Sequence, residues 1–448
     1  MLEPDTAKQL AQSLIDRSIT AGATAADAIY IGDRSTAVEV RMGELENVSS
    51  AEGESIGLRL FLGQRSASVA SSDLSLESMV IVVDRCLAMA REAPEDPFAS
   101  LAPSDLLELG KPPAIDSFDT ASPDPAELRA RALEAEGAAL GVAGVTNSSG
   151  VGASASSVTV ALATSDGFAG AYRTSRHGCS ASVIAGEGAT MQRDYAWHGT
   201  RFLADLDSPT IIGQRAGHRA VARLNPGRPK PGRYPVLFDP RVSPSLLGHF
   251  AGAITGSGVA RGTSFLKDRL GDQVFARGVT MIDDPLRPRG LRSHPFDGEG
   301  VRVARRELVS DGRVNQWIAD SASARQLGIA PTGHAVRGAS GSPSASPSNL
   351  WIEPGKRSRA ELLGAYPEAV LVIELIGHGV NGVTGDYSLG AVGFMVRNGE
   401  IAEPVSEITI ASNLIDMFAT LEPGSDLELR RGIDAPTILI PAMTVASA

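Results

Sequence analysis

Two cysteines, Cys86 and Cys179, are too few in 448 residues for a disulfide framework or a four-thiolate zinc site. Aromatic residues reach only 5%, so small side chains must fill much of the core. The longest apolar run, Ala369 to Gly377, falls far short of the roughly 20 residues that span a bilayer. No membrane partner is expected. There is no Lys/Arg block either. Forty-one basic residues against 52 acidic ones leave a net charge of −11, which argues against nucleic acid as a partner. The first eighteen residues contain acids and no long apolar core, unlike a signal peptide. A cytoplasmic protein is expected. Finally, no two of the seven histidines (His177, His198, His218, His249, His294, His334 and His378) lie three to five residues apart. The paired-imidazole signature of a helical zinc site is therefore missing, although a site assembled from distant histidines stays open.

The chain is long enough for two or three cores, and its strand and helix patterns divide it accordingly. Residues 1–95 read as helix, antiparallel strands, helix. Ala7, Leu10, Ala11, Leu14 and Ile15 recur at helical spacing, with Asp5 placed to cap them. Residues 96–125 are rich in Pro, Asp and Ser and read as a linker. Residues 126–228 form a middle unit of helices and strands, with a hairpin turn at Ser165-Asp166-Gly167. Residues 229–448 form a larger, β-rich C-terminal domain, in which Asn398-Gly399 is the strongest hairpin signal. Antiparallel hairpins dominate, so the fold class is α+β.

Three places attract chemical interest. His177 and Cys179 would share one face of a strand. They form either a thiolate–imidazole pair or, more simply, two neighbours on one surface. Asp297 and Glu299 sit among glycines in "HPFDGEGVRV". This reads as a tight turn, with Asp297 accepting backbone N–H groups and Gly298 and Gly300 at positive φ, rather than as an acid/base pair. The stretch "GVNGVTGDYSLGAVGF" offers Asn381, Gly382, Gly385, Asp386, Tyr387, Ser388 and Gly390. Its composition suits hairpins with obligatory turn glycines and a ligand-binding loop equally well. Ser348 and Asn349 close a Ser/Pro/Gly loop that cannot pack a core.

Continued through "GAVGFMVRNGEIAEPVSEITIASNLIDMF", the glycine-rich stretch resembles the TldD/PmbA family of peptidase-related proteins, once called modulators of DNA gyrase. "SASPSNLWIEPG", "PFDGEGV", "GHFAGAITGSGVARGTSFLKDRLG" and the three-part layout resemble the same family, over nearly the whole chain. The resemblance implies a two-branched family whose members pair as a metallopeptidase. The TldD branch has an H-E-x-x-x-H helix with two zinc-ligating histidines, a water-activating glutamate and a cysteine ligand near its C-terminus. The PmbA branch, also called TldE, lacks them. Here Gly248 stands at the first histidine, His249 at the glutamate and Ala253 at the second histidine, and the C-terminal stretch has no cysteine. The resemblance therefore implies a PmbA/TldE-type chain without catalytic residues or metal of its own, and zinc on a TldD-like partner. His249 is expected to be a partly buried helix histidine with a hydrogen-bond partner. An extended peptide is the implied substrate, with Ser348, Asn349 and the residues of 381–390 as peptide-binding candidates. The alternative is a homodimeric peptide-binding or assembly protein without catalytic activity.

Overall fold

The computed structural model describes residues 1–447. The first helix, α1 (Pro4–Thr20), buries Ala7, Ala11, Leu14 and Ile15. It begins one residue earlier than its cap signal. Pro4 opens the helix because a first-turn residue needs no N–H donor, and Glu3 holds the cap position without a side-chain bond. Asp5 lies inside the first turn, paired with Lys8 at 3.0 Å.

Strands β1 (Ala25–Arg41), β2 (Glu44–Leu62) and β3 (Arg65–Ser71) follow, then α2 (Leu76–Glu92). After the proline-rich crossing, α3 (Pro125–Leu140) starts from a capping box made by Asp124 and Glu127. Next come β4 (Val145–Thr164), β5 (Ala169–Ala185), β6 (Gln192–Thr200) and α4 (Pro209–Ala222). All six strands share one antiparallel sheet in the order β3-β2-β1-β4-β5-β6, with β1 joining the two halves of the chain's first 228 residues. Helices α1 and α2 cover one part of it, burying Leu14, Val83, Ile56 and Leu58 together. Helices α3 and α4 cover another, where Ala132, Ala135, Ile212 and Ala216 meet Val151 and Ala181. Alanine-rich faces explain how the sheet is covered with so few aromatics.

The C-terminal domain is built on a ring of strands. Strand β7 (Gly232–Phe238) pairs parallel with β8 (Glu368–Ile376) and antiparallel with β11 (Ile438–Ser447). Strand β9 (Asp386–Arg397) lies between β8 and β10 (Glu400–Asn413), and β10 pairs with β11. The five strands thus close on themselves. Closure leaves few open edges, a common solution for antiparallel sheets. The β9–β10 hairpin turns at Asn398 and Gly399, both at positive φ, as a type I′ turn requires. A smaller sheet, with strands at Met281–Asp283, Arg306–Ser310 and Leu350–Ile352 among others, stands beside the ring. Helix α5 (Pro244–Ala253) enters the shared core through Leu246, Leu247 and Phe250, with Ile254 just beyond its end. Phe250 meets Phe275 edge-on at 5.1 Å, and Phe275 stacks on Phe418 at 4.5 Å. The chain is thus an α+β protein, as its hairpin-rich pattern indicates.

Candidate functional site

A groove of about 590 Å³ runs along the flank of α5. One wall is the helix itself, through Gly248, His249, Gly252 and Ala253. The other comes from the end of β8 and the loop after it, through Leu375, His378, Val380 and Gly382. The resemblance-based helix positions and the glycine-rich stretch, some 130 residues apart in sequence, therefore face one another across the same cavity.

The helix wall is low. A side chain added at Gly248 or Gly252 would meet nothing within 4 Å. Glycine in a helix interior costs about 1 kcal/mol relative to alanine, so these two positions trade helix stability for an open groove. His249 is half-buried. Its ring meets the Tyr387 ring edge-on, with centroids 6.0 Å apart. Among the described residues it has no hydrogen-bond partner, contrary to expectation, because its neighbour across the gap is an aromatic ring rather than an acceptor. Burial pushes its pKa down, favouring neutral imidazole. Tyr387 is buried beneath it with its hydroxyl unpartnered, and burial raises that hydroxyl's pKa.

The loop opposite holds itself together. Asn381 Oδ1 accepts the backbone N–H groups of Val383 (2.9 Å) and Thr384 (3.3 Å). Asp386 accepts from the Thr384 hydroxyl at 2.7 Å and from Asn413 at 3.2 Å. Gly385 is at φ +81° beside the Asn413 amide, so it serves the turn. A side chain at Gly390 would press on the Ile376 carbonyl. Gly382 and Ser388 are exposed, and Gly382 has open space around it. Strand β9 is engaged on both sides, by β10 and by the chain from Ile376 to Asn381, so the glycine-rich strand offers no edge. An edge does exist on β8. Strand β7 stops opposite Val372, and among the described residues no strand pairs with Ile373–Ile376 on that side. Leu375 of this segment lines the groove, and Ile376 and Val383 are exposed apolar residues beside it.

Ser348 and Asn349 lie elsewhere. Both are buried, and their polar atoms are taken up by Asp283, Asp284, Ser293 and Arg292. The structure does not bring them to the groove. Asp297 is buried in a turn, as its sequence suggests: Oδ1 accepts from Glu299 N and Val301 N at 2.9 Å, and Oδ2 from Ala335 N at 3.1 Å. Gly300 has positive φ. Gly298 does not; there the absence of a side chain admits the backbone of residues 335–337. His177 and Cys179 share one face of β5, both buried. Burial pushes the Cys179 thiol up to about 11, far from thiolate character, so this is a packed strand surface.

The donor set around α5 does not fit a zinc ion. A protein zinc site needs three or four converging nitrogen, sulfur or carboxylate donors. Among the described residues no three His, Cys, Asp or Glu side chains converge in that way. No helix among them is long and apolar enough to cross a membrane.

Comparison with known proteins agrees with this architecture. Models of the PmbA/TldA metallopeptidase family match residues 26–90 as domain 1, 118–224 as the central domain and 231–447 as the C-terminal domain. Metalloprotease PmbA of Escherichia coli O157:H7 is 38% identical over 411 residues, covering 91% of this chain and 89% of that protein. A PmbA homologue of Haemophilus influenzae is 34% identical over 412 residues, covering 91% and 89%. Among solved structures, a Bacteroides thetaiotaomicron protein crystallised as a candidate modulator of DNA gyrase superposes with a TM-score of 0.90 at 25% identity, covering 98% of this chain and 99% of that one. TldE of Thermococcus kodakarensis shares the fold, with a TM-score of 0.88 at 19% identity, covering 98% and 100%.

Proposed function

Since this chain belongs to the PmbA/TldD metallopeptidase family, we propose that it is the subunit without zinc in a two-chain cytoplasmic peptidase, and that it holds an extended peptide in the groove beside α5. In this reading zinc, the attacking water and the general base belong to a TldD-like partner. The observation that carries it is the helix wall. Gly248, His249 and Ala253 occupy the motif positions, and a single neutral imidazole can neither grip a divalent cation nor replace the missing carboxylate.

The groove suits a chain without folded structure. A peptide laid along β8 at Ile373–Ile376 would bond through its backbone, which recognises extended conformation and tolerates varied side chains. Exposed Ile376 and Val383 would take apolar residues of that peptide. Gly248, Gly252 and Gly382 leave it room.

The test is co-expression with a family member that carries H-E-x-x-x-H, followed by zinc analysis and a peptidase assay of what co-purifies. The expected result is one zinc per pair, with cleavage of unstructured peptides by the pair alone. Zinc and chelator-sensitive cleavage in the isolated chain would overturn the assignment. A homodimer that binds peptide and never pairs would favour the non-enzymatic alternative. Gly382→Leu, which fills open space without straining a turn, is expected to weaken peptide cleavage by the pair at least tenfold while the chain stays folded.

A further inference from the structure

A small cavity of about 140 Å³ opens where the large sheet meets the C-terminal domain, on different residues from the groove beside α5. Ile29 and Ile31 of β1, Val160 and Leu162 of β4 and Tyr172 of β5 make an apolar strip across three neighbouring strands, and Phe296 stands against it. Val336 also lines the cavity and is exposed, so the cavity opens to solvent. Asp297, His294 and Arg337 complete the wall. Asp297 is already engaged by its three backbone N–H donors.

The other two are only half engaged. The Arg337 side chain has no exposed surface. Its Nη1 donates to Asp27, while Nε and Nη2 are buried without a hydrogen-bond partner among the described residues. His294 Nδ1 lies 3.0 Å from the Arg292 carbonyl oxygen, which can only accept, so Nδ1 carries the proton. Burial pushes the pKa of this ring down, favouring the neutral form. Nε2 then presents a lone pair, and it too is buried without a partner among the described residues. Such groups are costly to leave unmatched. Charge, in contrast, is already balanced: Arg337 and Arg59 flank Asp27, and Arg59 also reaches Glu299. An ion entering here would lack a counter-charge.

We propose that this cavity binds a neutral carboxamide, free or as one unit of a peptide chain, with its carbonyl oxygen on Arg337 and its N–H on His294 Nε2. The wall offers N–H donors from one side chain and a lone pair from the other, and an amide is the small uncharged group that carries the complement of both. A ketone has no hydrogen to give His294. A carboxylate would set its charge against the imidazole lone pair. An aliphatic group on the amide would lie on the strip made by Ile29, Ile31, Val160 and Leu162.

The unaltered chain, carrying isotope-labelled histidine, is titrated with isobutyramide, N-acetylvaline methylamide, methyl isopropyl ketone and isobutyrate at constant pH and ionic strength. The imidazole nitrogen signals are followed by NMR, and the His294 signal is identified by its loss in His294→Phe. Saturable, millimolar binding of an amide is expected to shift the His294 Nε2 signal, and to be about fivefold tighter than that of the ketone or isobutyrate. Saturation by isobutyramide alone would identify a free amide as the source, and saturation by N-acetylvaline methylamide a peptide unit. His294→Phe, and Arg337→Lys, which keeps a cation opposite Asp27, should each weaken amide binding about fivefold. Absence of a saturable shift with either amide in the unaltered chain would overturn the proposal, whether or not the variants fold. So would equal or tighter binding of the ketone or isobutyrate, or undiminished amide binding in a folded variant.

Discussion

The groove beside α5 and the seam where the large sheet meets the C-terminal domain treat polar side chains in opposite ways. In the seam, charge is buried. Asp27 of β1 lies between Arg59 of β2 and Arg337, and Arg59 also reaches Glu299 at 3.6 Å. Phe296 fills the same seam against Phe168 and Tyr172, with ring centroids 4.9 and 5.3 Å away. In the groove, no ion pair joins the walls among the described residues. The loop's polar groups are turned on one another, leaving glycine, apolar side chains and imidazole to face the cavity. Buried pairs fix where two bodies meet, because separating them leaves an uncompensated charge. A groove lined by small and apolar groups can change its contents at little cost to the fold. "PFDGEGV" and "SASPSNL" therefore build the frame, and the glycine-rich stretch forms one wall of the groove.

The sharpest way to break this contrast is to remove one seam charge. Arg59→Met leaves Asp27 with Arg337 alone and Glu299 without its arginine. It should destabilise the protein by about 3–5 kcal/mol, read as a lower midpoint in urea unfolding. A change within about 0.5 kcal/mol would show that the seam is not held by this cluster.

How much of this was legible beforehand depended on sequence distance. The buried face of α5, the Asn398-Gly399 turn and the turn at Asp297 follow from local spacing, and all are present. The contact between α5 and the loop after β8 does not. It arises because β7 and β8 pair in parallel across more than a hundred residues, a long-range choice that no local pattern encodes. Arg59 as the partner of Glu299 was hidden for the same reason.

A smaller effect, set by pH, separates the two regions again. Burial, then the Glu299 carboxylate beside it, pushes the Asp297 carboxyl up to about 8, against the pull of its three backbone N–H donors. Between pH 4 and pH 8 the folded chain thus retains a proton that the unfolded chain releases, and this contribution to stability falls as pH rises. Asp27 works in the other direction. Burial would raise its pKa, but Arg337 and Arg59 hold it low, so its contribution is lost only as pH falls below the ordinary aspartate range. This carboxyl should therefore impose a decline on the urea midpoint from pH 5 to pH 8, against the burial-lowered histidines His177, His198, His249 and His294, whose contribution to stability rises with pH. Asp297→Asn should flatten that decline, at some loss of stability, because an amide has one acceptor oxygen where three N–H groups need two. A profile unchanged by Asp297→Asn would remove this carboxyl from the account.

The smallest predicted effect has the opposite sign and tests the groove. Gly248 is exposed near the middle of α5, with nothing within 4 Å of a would-be side chain. Alanine there should stabilise the helix by about 0.5–1 kcal/mol, since it loses less backbone freedom on folding and creates no clash. If the position existed only to complete a helix, that gain would come free. If it exists to keep the cavity clear, Gly248→Ala should raise the unfolding midpoint and weaken peptide binding together, and Gly248→Leu should weaken binding further. Midpoints and peptide affinities measured on the same preparations decide it. A stabilised variant with undiminished affinity would mean that the peptide does not pass over this face of α5, and the groove would have to be sought along the β8 edge alone.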